Sequence, residues 1–216
     1  MPTMTALLRP LPLAALLGLA ACASGPREEP YNRPAASAPQ LALDHGWIAV
    51  RDPTAEGARL EQAGFRVSDG RRIAFENGYL DLVSSANPAA APFGLAFRRT
   101  AATPADLAFA APSAAPAVAL AIEPQGVDEA GNRAAIAAVG AAAEPFLHTN
   151  GARRITGLRV TAPTRAALPP AASFVNLSGA AELRVGTEWL MELELDNGSQ
   201  NQELDLRPRL PLVVRF

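Results

Sequence analysis

The chain contains no lysine and one cysteine, and only two histidines, two tryptophans and two tyrosines among its 216 residues. A lone cysteine, Cys22, excludes an internal disulfide and any C-x-x-C metal or redox pair. The body must therefore be held by its apolar core, and its length is enough for one. H-E-x-x-H, G-x-S-x-G and a phosphate-cradling glycine loop are all absent, so no cofactor is expected. The 19 cations, all arginine, face 21 carboxylates for a net charge of −2. They form no basic cluster interleaved with aromatics, which argues against nucleic acid as a partner.

The amino-terminal stretch carries the clearest pattern. Residues 1–10 hold one charge, Arg9, and residues 11–21 are apolar apart from Pro12 and Gly18. Small residues then lead to Cys22. A positive start, an apolar run and a small-residue cleavage point form a secretory signal. The run is shorter than the about 20 residues needed to span a bilayer. The sequence Leu19-Ala20-Ala21-Cys22 resembles the lipobox of bacterial lipoprotein precursors. The resemblance implies cleavage between Ala21 and Cys22, acylation of the Cys22 thiol, and Cys22 as the lipidated first residue. It also implies a cell-envelope address. Ala23, rather than Asp, then implies sorting to the periplasmic face of the outer membrane in a Gram-negative cell. Membrane contact through the lipid is one expected partnership; envelope proteins are the other.

Residues 22–40 are rich in proline, alanine and serine, with little to bury. They read as a disordered tether. Extended at about 3.1 Å per residue, it would hold the body roughly 50 Å from the anchor. Tyr31 reads as an exposed aromatic within it.

Residues 41–216 read as one β-rich domain. Short apolar alternations recur at Trp47–Val50, Phe65 and Val67, Ile73 and Phe75, Leu80 and Leu82, Phe93 to Phe97, Leu107 and Phe109, Val118 to Ile122, and Ile155 to Val160. Such runs bounded by Gly, Pro and Asn are strands. Asn77-Gly78 predicts a two-residue hairpin pairing Phe75 with Leu80 and Ile73 with Leu82. Ser68-Asp69-Gly70 predicts a three-residue turn with a bulge at Gly70, completing a three-stranded meander. Residues 55–63 could make one helical turn. Near 132–144, alanine abundance predicts the single helix, with Asn132 as its cap, Pro145 as its end and a narrow stripe suited to packing on a sheet. Further strands are expected at 174–177 and 182–185. Residues 189–196 and 199–206 predict a hairpin about Asn197-Gly198, pairing Met191 with Leu204 and Trp189 with Leu206. A last strand follows, with Pro211 at an edge or at its first residue. The expected fold is mainly β: an antiparallel sandwich or open barrel with one Ala-rich helix. No internal repeat is visible.

Three groups are candidates for chemistry. The hairpin register sets Glu192 opposite Glu203, with Glu194 and Asp205 on the same face. Like charges directly opposite destabilise a sheet. Either a hard cation such as Ca²⁺ or arginines such as Arg207, Arg209 and Arg215 must offset them. Asp44-His45 could orient a general base toward Ser84 or Ser85, although His45 more simply caps or lies exposed. His148 follows the predicted helix, where a cation is favoured. Trp47 and Trp189 fall at apolar strand positions and read as core; the alternative is an aromatic platform for sugar.

With no catalytic motif and an envelope address, the expected function is that of a non-enzymatic accessory or binding protein serving an envelope or secretion assembly. The rivals are an envelope polysaccharide hydrolase and a carrier of a small or lipidic ligand. A pocket joining Asp44, His45 and a serine would favour the hydrolase. An apolar cavity between sheets would favour the carrier, and a filled core with a flat patch the binding module.

Overall fold

A computed structural model describes residues 29–31, 40–110, 115–170, 181–196 and 202–216. Cys22 with the expected lipobox, the expected strand at 174–177, and the expected Asn197-Gly198 turn lie outside the described residues. The described residues form eleven strands: β1 (Glu29–Pro30), β2 (Leu41–Val50), β3 (Arg72–Phe75), β4 (Gly78–Ser84), β5 (Phe93–Arg99), β6 (Ala119–Glu123), β7 (Arg154–Ala162), β8 (Ala181–Val185), β9 (Leu190–Asp196), β10 (Glu203–Asp205) and β11 (Leu212–Arg215). Two α-helices, α1 (Pro53–Gln62) and α2 (Glu129–Ala138), join them.

The fold is mainly β, a sandwich of two separate sheets rather than a closed barrel. The first sheet has the order β3-β4-β2-β5-β6 and the second β1-β8-β7-β9-β11-β10. Contrary to the antiparallel expectation, both sheets are mixed. β2 with β4, β5 with β6, β7 with β8, and β9 with β11 all pair in parallel. Parallel neighbours need crossover connections, and α1 lies on the first of them, between β2 and β4.

The two sheets repeat one plan. In each, a long strand (β2 or β7) has a parallel neighbour on one side (β4 or β8). An antiparallel neighbour lies on the other side (β5 or β9), and it carries its own parallel neighbour (β6 or β11). Both long strands are bulged near their start, β2 between Leu43 and His45, β7 between Ile155 and Gly157. The bulges align Gly46 with Leu158, and these residues meet in the core. A Cβ on Gly46 would lie 2.7 Å from Leu158 Cδ2. The long strands thus cross face to face where only one of the two can carry a side chain.

Inward residues fill the space between the sheets. Ile48, Leu80, Leu82, Phe93, Leu95 and Phe97 from the first sheet meet Leu158, Val160, Leu183, Met191, Leu193, Leu212 and Val214 from the second, all buried. These are alternate positions of their strands, as a two-sheet core requires.

Local expectations fare unevenly. The β3–β4 hairpin forms, but Phe75 pairs with Gly78 and Ile73 with Leu80. The turn is therefore Glu76-Asn77. Gly78 opens β4 because a Cβ there would lie 2.7 Å from the Asp44 carbonyl oxygen and 3.1 Å from Ile155 Cδ1. Asn77 is committed elsewhere: its amide donates to the Ile155 carbonyl, and its oxygen accepts from the Ile155 amide, both at 2.9 Å. The third strand of the meander shrinks to a bridge between Ser68 and Arg72, with Asp69 and Gly70 at positive φ. Residues 107–109 are not a strand.

Residues 53–62 make a full helix, not one turn. The Asp52 side chain caps it by accepting from the Ala55 amide at 3.0 Å, with Pro53 in its first turn. Asp128, not Asn132, caps α2, and the chain leaves the helix at Val139, φ 58°, well before Pro145. No residue of α2 is buried. An alanine stripe offers little area, so polar contacts fasten it instead. Asn132 donates to the Glu76 carbonyl at 3.1 Å and Arg98 pairs with Glu129.

Part of the expected tether belongs to the body. Glu29 and Pro30 pair with Val185 and Arg184. Tyr31, expected to be exposed, is buried at 8 %. Its amide donates to the Leu183 carbonyl at 2.8 Å and its hydroxyl to the Pro169 carbonyl at 3.3 Å.

Candidate functional site

The acidic hairpin does not form. β11 lies between β9 and β10, so Glu192 is opposite Val213, and Glu203 is opposite Arg215. Leu212, Val213 and Val214 are each at most 2 % exposed. Such an apolar strand belongs inside a sheet, whereas the three-residue β10 suits its edge. Pro211 stands just before β11, as its missing N–H permits. The insertion also places Arg215 between the two acidic strands.

All four candidate carboxylates have arginine partners. Arg215 pairs with Glu192, and with Glu203 at 3.1 Å; Arg159 pairs with Glu194; Arg207 pairs with Asp205 at 2.6 Å. Asp205, hydrogen-bonded by Arg207, is held down to a pKa of about 2. Glu182 joins Arg159 and Arg184, at 3.2 and 2.9 Å. The outer face of the second sheet is thus a lattice of alternating charge, and arginine supplies the neutralisation. Among the described residues, no three His, Cys, Asp or Glu side chains gather closely enough to hold a metal ion.

The histidines are both buried, for different purposes. His148 lies ten residues beyond the end of α2, so the terminus of that helix does not reach it. Its Nδ1 accepts the Arg66 amide and its Nε2 donates to the Ala74 carbonyl, both at 2.8 Å. That fixes one neutral tautomer between Phe65 and Phe75. Burial lowers its pKa from the ordinary histidine value, against the Ala74 hydrogen bond, which raises it.

Asp44 is the bulged residue of β2. One oxygen accepts the Val127 amide at 2.6 Å, and the other lies 2.8 Å from His45 Nδ1. Burial alone would raise the Asp44 pKa, but these two hydrogen bonds bring it below the ordinary carboxylate value. The pair is oriented like a base and its positioner, yet the proposed nucleophiles are remote. In β4, Tyr79 stands beside His45 and Ser84 beside Val50. Ser84 is therefore five residues, about 16 Å, along the strand, and Ser85 follows it outward.

The bulge also decides where Trp47 points. Without it, Leu41, Leu43 and Trp47 would share a face. With it, Ile48 and Val50 turn inward and Trp47 outward. Trp47 is not part of the core. Across the outer face runs one row, Arg72-Asp81-Trp47-Gly94-Ala119, and beside it a second, Ala74-Tyr79-His45-Ala96-Ala121. The Trp47 indole lies on Gly94, where any Cβ would fall within the ring. The Tyr79 ring stands between Arg72, 3.9 Å from its centroid, and His45, at 4.1 Å and 12°. Burial pushes the Tyr79 hydroxyl up to about 12, with Arg72 acting in the opposite direction. Arg72 in turn grips both Asp81 oxygens, at 2.8 and 2.7 Å.

Trp189, by contrast, packs against the core edge, 6.2 Å from Phe93. It lines a cleft of about 690 Å³ at one end of the sandwich, with Val50, Pro88, Pro92, Pro116 and Pro211. Arg209 and Glu56, 3.4 Å apart, stand at that cleft. Alternation in the sequence put both tryptophans in strands, but Trp189 lies just before β9, and nothing in it could reveal the bulge that turns Trp47 outward.

No family model matches the chain, and neither the curated proteins nor the solved structures contain a match.

Proposed function

We propose that this protein is a lipid-anchored envelope protein whose body is a non-enzymatic binding module, serving an envelope or secretion assembly through the outer face of the β3-β4-β2-β5-β6 sheet. The observation that carries the binding reading is the contrast of faces over a filled core. The second sheet satisfies its charges internally, whereas the first carries an indole outside the core, beside a Tyr79 ring stacked on the buried His45. The lipobox supplies the address. Because Glu29 is docked on β8, only residues 23–28 separate it from Cys22. That span can reach at most about 25 Å, so the body works close to the membrane surface.

Two experiments test this. Labelled palmitate should enter the protein and be lost with Cys22→Ala; unchanged labelling in the variant removes the anchor. Crosslinking in intact cells followed by pull-down should capture an envelope component, and Trp47→Ala should reduce that capture while Arg159→Ala does not. Equal capture by both variants removes the recognition face.

The end cleft supports a second reading, a carrier of a small apolar ligand. Its volume lies within the range of ligand sites, and proline and tryptophan line it. Quenching of Trp189 emission by a lipid-like probe would favour it; a probe that leaves that emission unchanged would remove it.

A further inference from the structure

Resting on the binding-module reading, we infer that the outer face around Trp47 binds a neutral β-1,4-linked glycan chain, one pyranose stacked on the indole. Four features of the face select this class of ligand. First, the indole lies flat on the sheet because Gly94 has no side chain to lift it. An aromatic plane parallel to a sheet offers its free side to another flat group. The C–H face of a β-linked pyranose with equatorial substituents is such a group, and aromatic residues suit partners that are apolar on one side and wet on the other.

Second, the face is not a pocket. None of the hollows found among the described residues touches Trp47; one lies at the β6 edge and a larger one at the Trp189 end. A flat surface fits a polymer running across strands better than an enclosed small molecule. Third, planar polar groups lie at the edge of the indole. Asp81 is the row neighbour of Trp47, one strand away at about 4.8 Å, and it is fixed by both bonds from Arg72. His45, held by Asp44, lies 5.8 Å from Trp47, tilted by 43°. The fixed Asp81 carboxylate and its Arg72 partner can meet the equatorial hydroxyls of a stacked sugar, with the buried His45 backing them.

Fourth, the charge is spent. Arg72 is matched by Asp81, and Arg98 by Glu129 with Asp44 at 4.0 Å. A face with paired cations does not select phosphate or an anionic polymer, whereas a neutral polyol needs no net charge. The same row of the other sheet marks the difference. There Arg159 stands in place of Trp47 and Glu192 in place of Gly94, and no aromatic plane exists.

The test uses the full mature chain, with purified peptidoglycan sacculi and soluble chitotetraose as probes. Only two tryptophans are present, so Trp189→Phe leaves Trp47 as the sole indole emitter. Chitotetraose should shift or quench that emission with saturation, and the protein should sediment with sacculi. Trp47→Ala should lower retention at least tenfold, Trp47→Phe less, and Arg159→Ala not at all. Unchanged Trp47 emission at saturating chitotetraose, or sacculus binding indifferent to Trp47→Ala, would overturn the proposal. The emission arm holds even if Trp47→Ala folds poorly. If glycan binding fails while crosslinking dependent on Trp47 still captures a protein, the glycan is wrong and the module stands. If both fail, both readings fall.

Discussion

The two sheets use one plan and finish it in opposite ways. Corresponding rows read Asp81-Trp47-Gly94-Ala119 in one and Glu182-Arg159-Glu192-Val213 in the other. The inward sides of both are apolar and equally buried. Outward, one row sets an arginine between two glutamates, and the other lays an indole on a glycine. A charged row that closes on itself leaves nothing to offer a partner. The aromatic row gains little for the fold and stays available. Shared topology thus fixes the core, and the outer faces are free to diverge.

The comparison can be broken most strongly where the sheets touch. Leu158→Ala should cost about 3 kcal/mol in denaturant unfolding, as buried leucine truncations do. Gly46→Ala should also destabilise, because its Cβ meets Leu158 Cδ2. The double variant should lose clearly less than the sum of the two, since each change makes room for the other. Strict additivity would mean that the long strands do not cross there.

Next comes the charged row. Glu192 is 5 % exposed, and among the described residues Arg215→Ala would leave it Arg184, 3.9 Å away, as its ion-pair partner. Stranding a carboxylate in a fully buried pair costs about 3–5 kcal/mol. Because Arg215 is itself 42 % exposed, about 2 kcal/mol is expected in thermal or denaturant melts. No loss would show that the lattice is ornamental to stability.

Acid should expose His148. Its folded-state pKa is lowered by burial, so the unfolded chain binds the proton more readily. Its contribution is complete above the unfolded value of about 6.5 and is lost as pH falls below it, by at most about 1.4 kcal/mol per pH unit. Asp44 is also lowered, but its contribution is complete above about 4 and is lost only in stronger acid. Melting curves between pH 7 and pH 5 should therefore fall for the native chain and flatten for His148→Gln. A native profile flat over that interval would contradict the neutral, doubly hydrogen-bonded histidine.

Smaller effects sharpen the contrast of faces. Trp47→Ala should cost about 1 kcal/mol or less, the scale of a cross-strand pair. Arg207→Ala, at an exposed edge, should leave the melt unchanged. A Trp47→Ala loss larger than that of Arg215→Ala would reverse the roles assigned to the two faces.

Much of the strand content was legible because alternation marks strands wherever one face is buried: Phe93 to Phe97, Ile155 to Val160 and Glu182 to Val185 all read correctly. Pairing was not legible. Asn197-Gly198 chemistry argued for joining its flanking strands, yet the apolar segment Leu212–Arg215 took the place between β9 and β10. No local turn rule registers a strand that arrives later in the chain. Bulges were equally invisible. Leu43 and Ile48 are five residues apart, so both parities of β2 are apolar, and only the bulge at Asp44 decides that Trp47 faces outward. The repeat was hidden for a related reason: topology recurs in backbone pairing, while the residues that would reveal it, Gly46 against Leu158 and Trp47 against Arg159, differ in kind. Tyr31 was misplaced because its proline-rich surroundings resemble a tether, and one buried ring among them makes no periodic signal.

The difference between the faces is tested most directly by placing a photo-crosslinking phenylalanine at position 47 and, separately, at position 159 in cells making the full-length protein. The two sites occupy the same place in the two sheets. Adducts with an envelope component should form from position 47 and not from position 159. Adducts from position 159 alone, or equal yields from both, would contradict the assignment of recognition to the aromatic face.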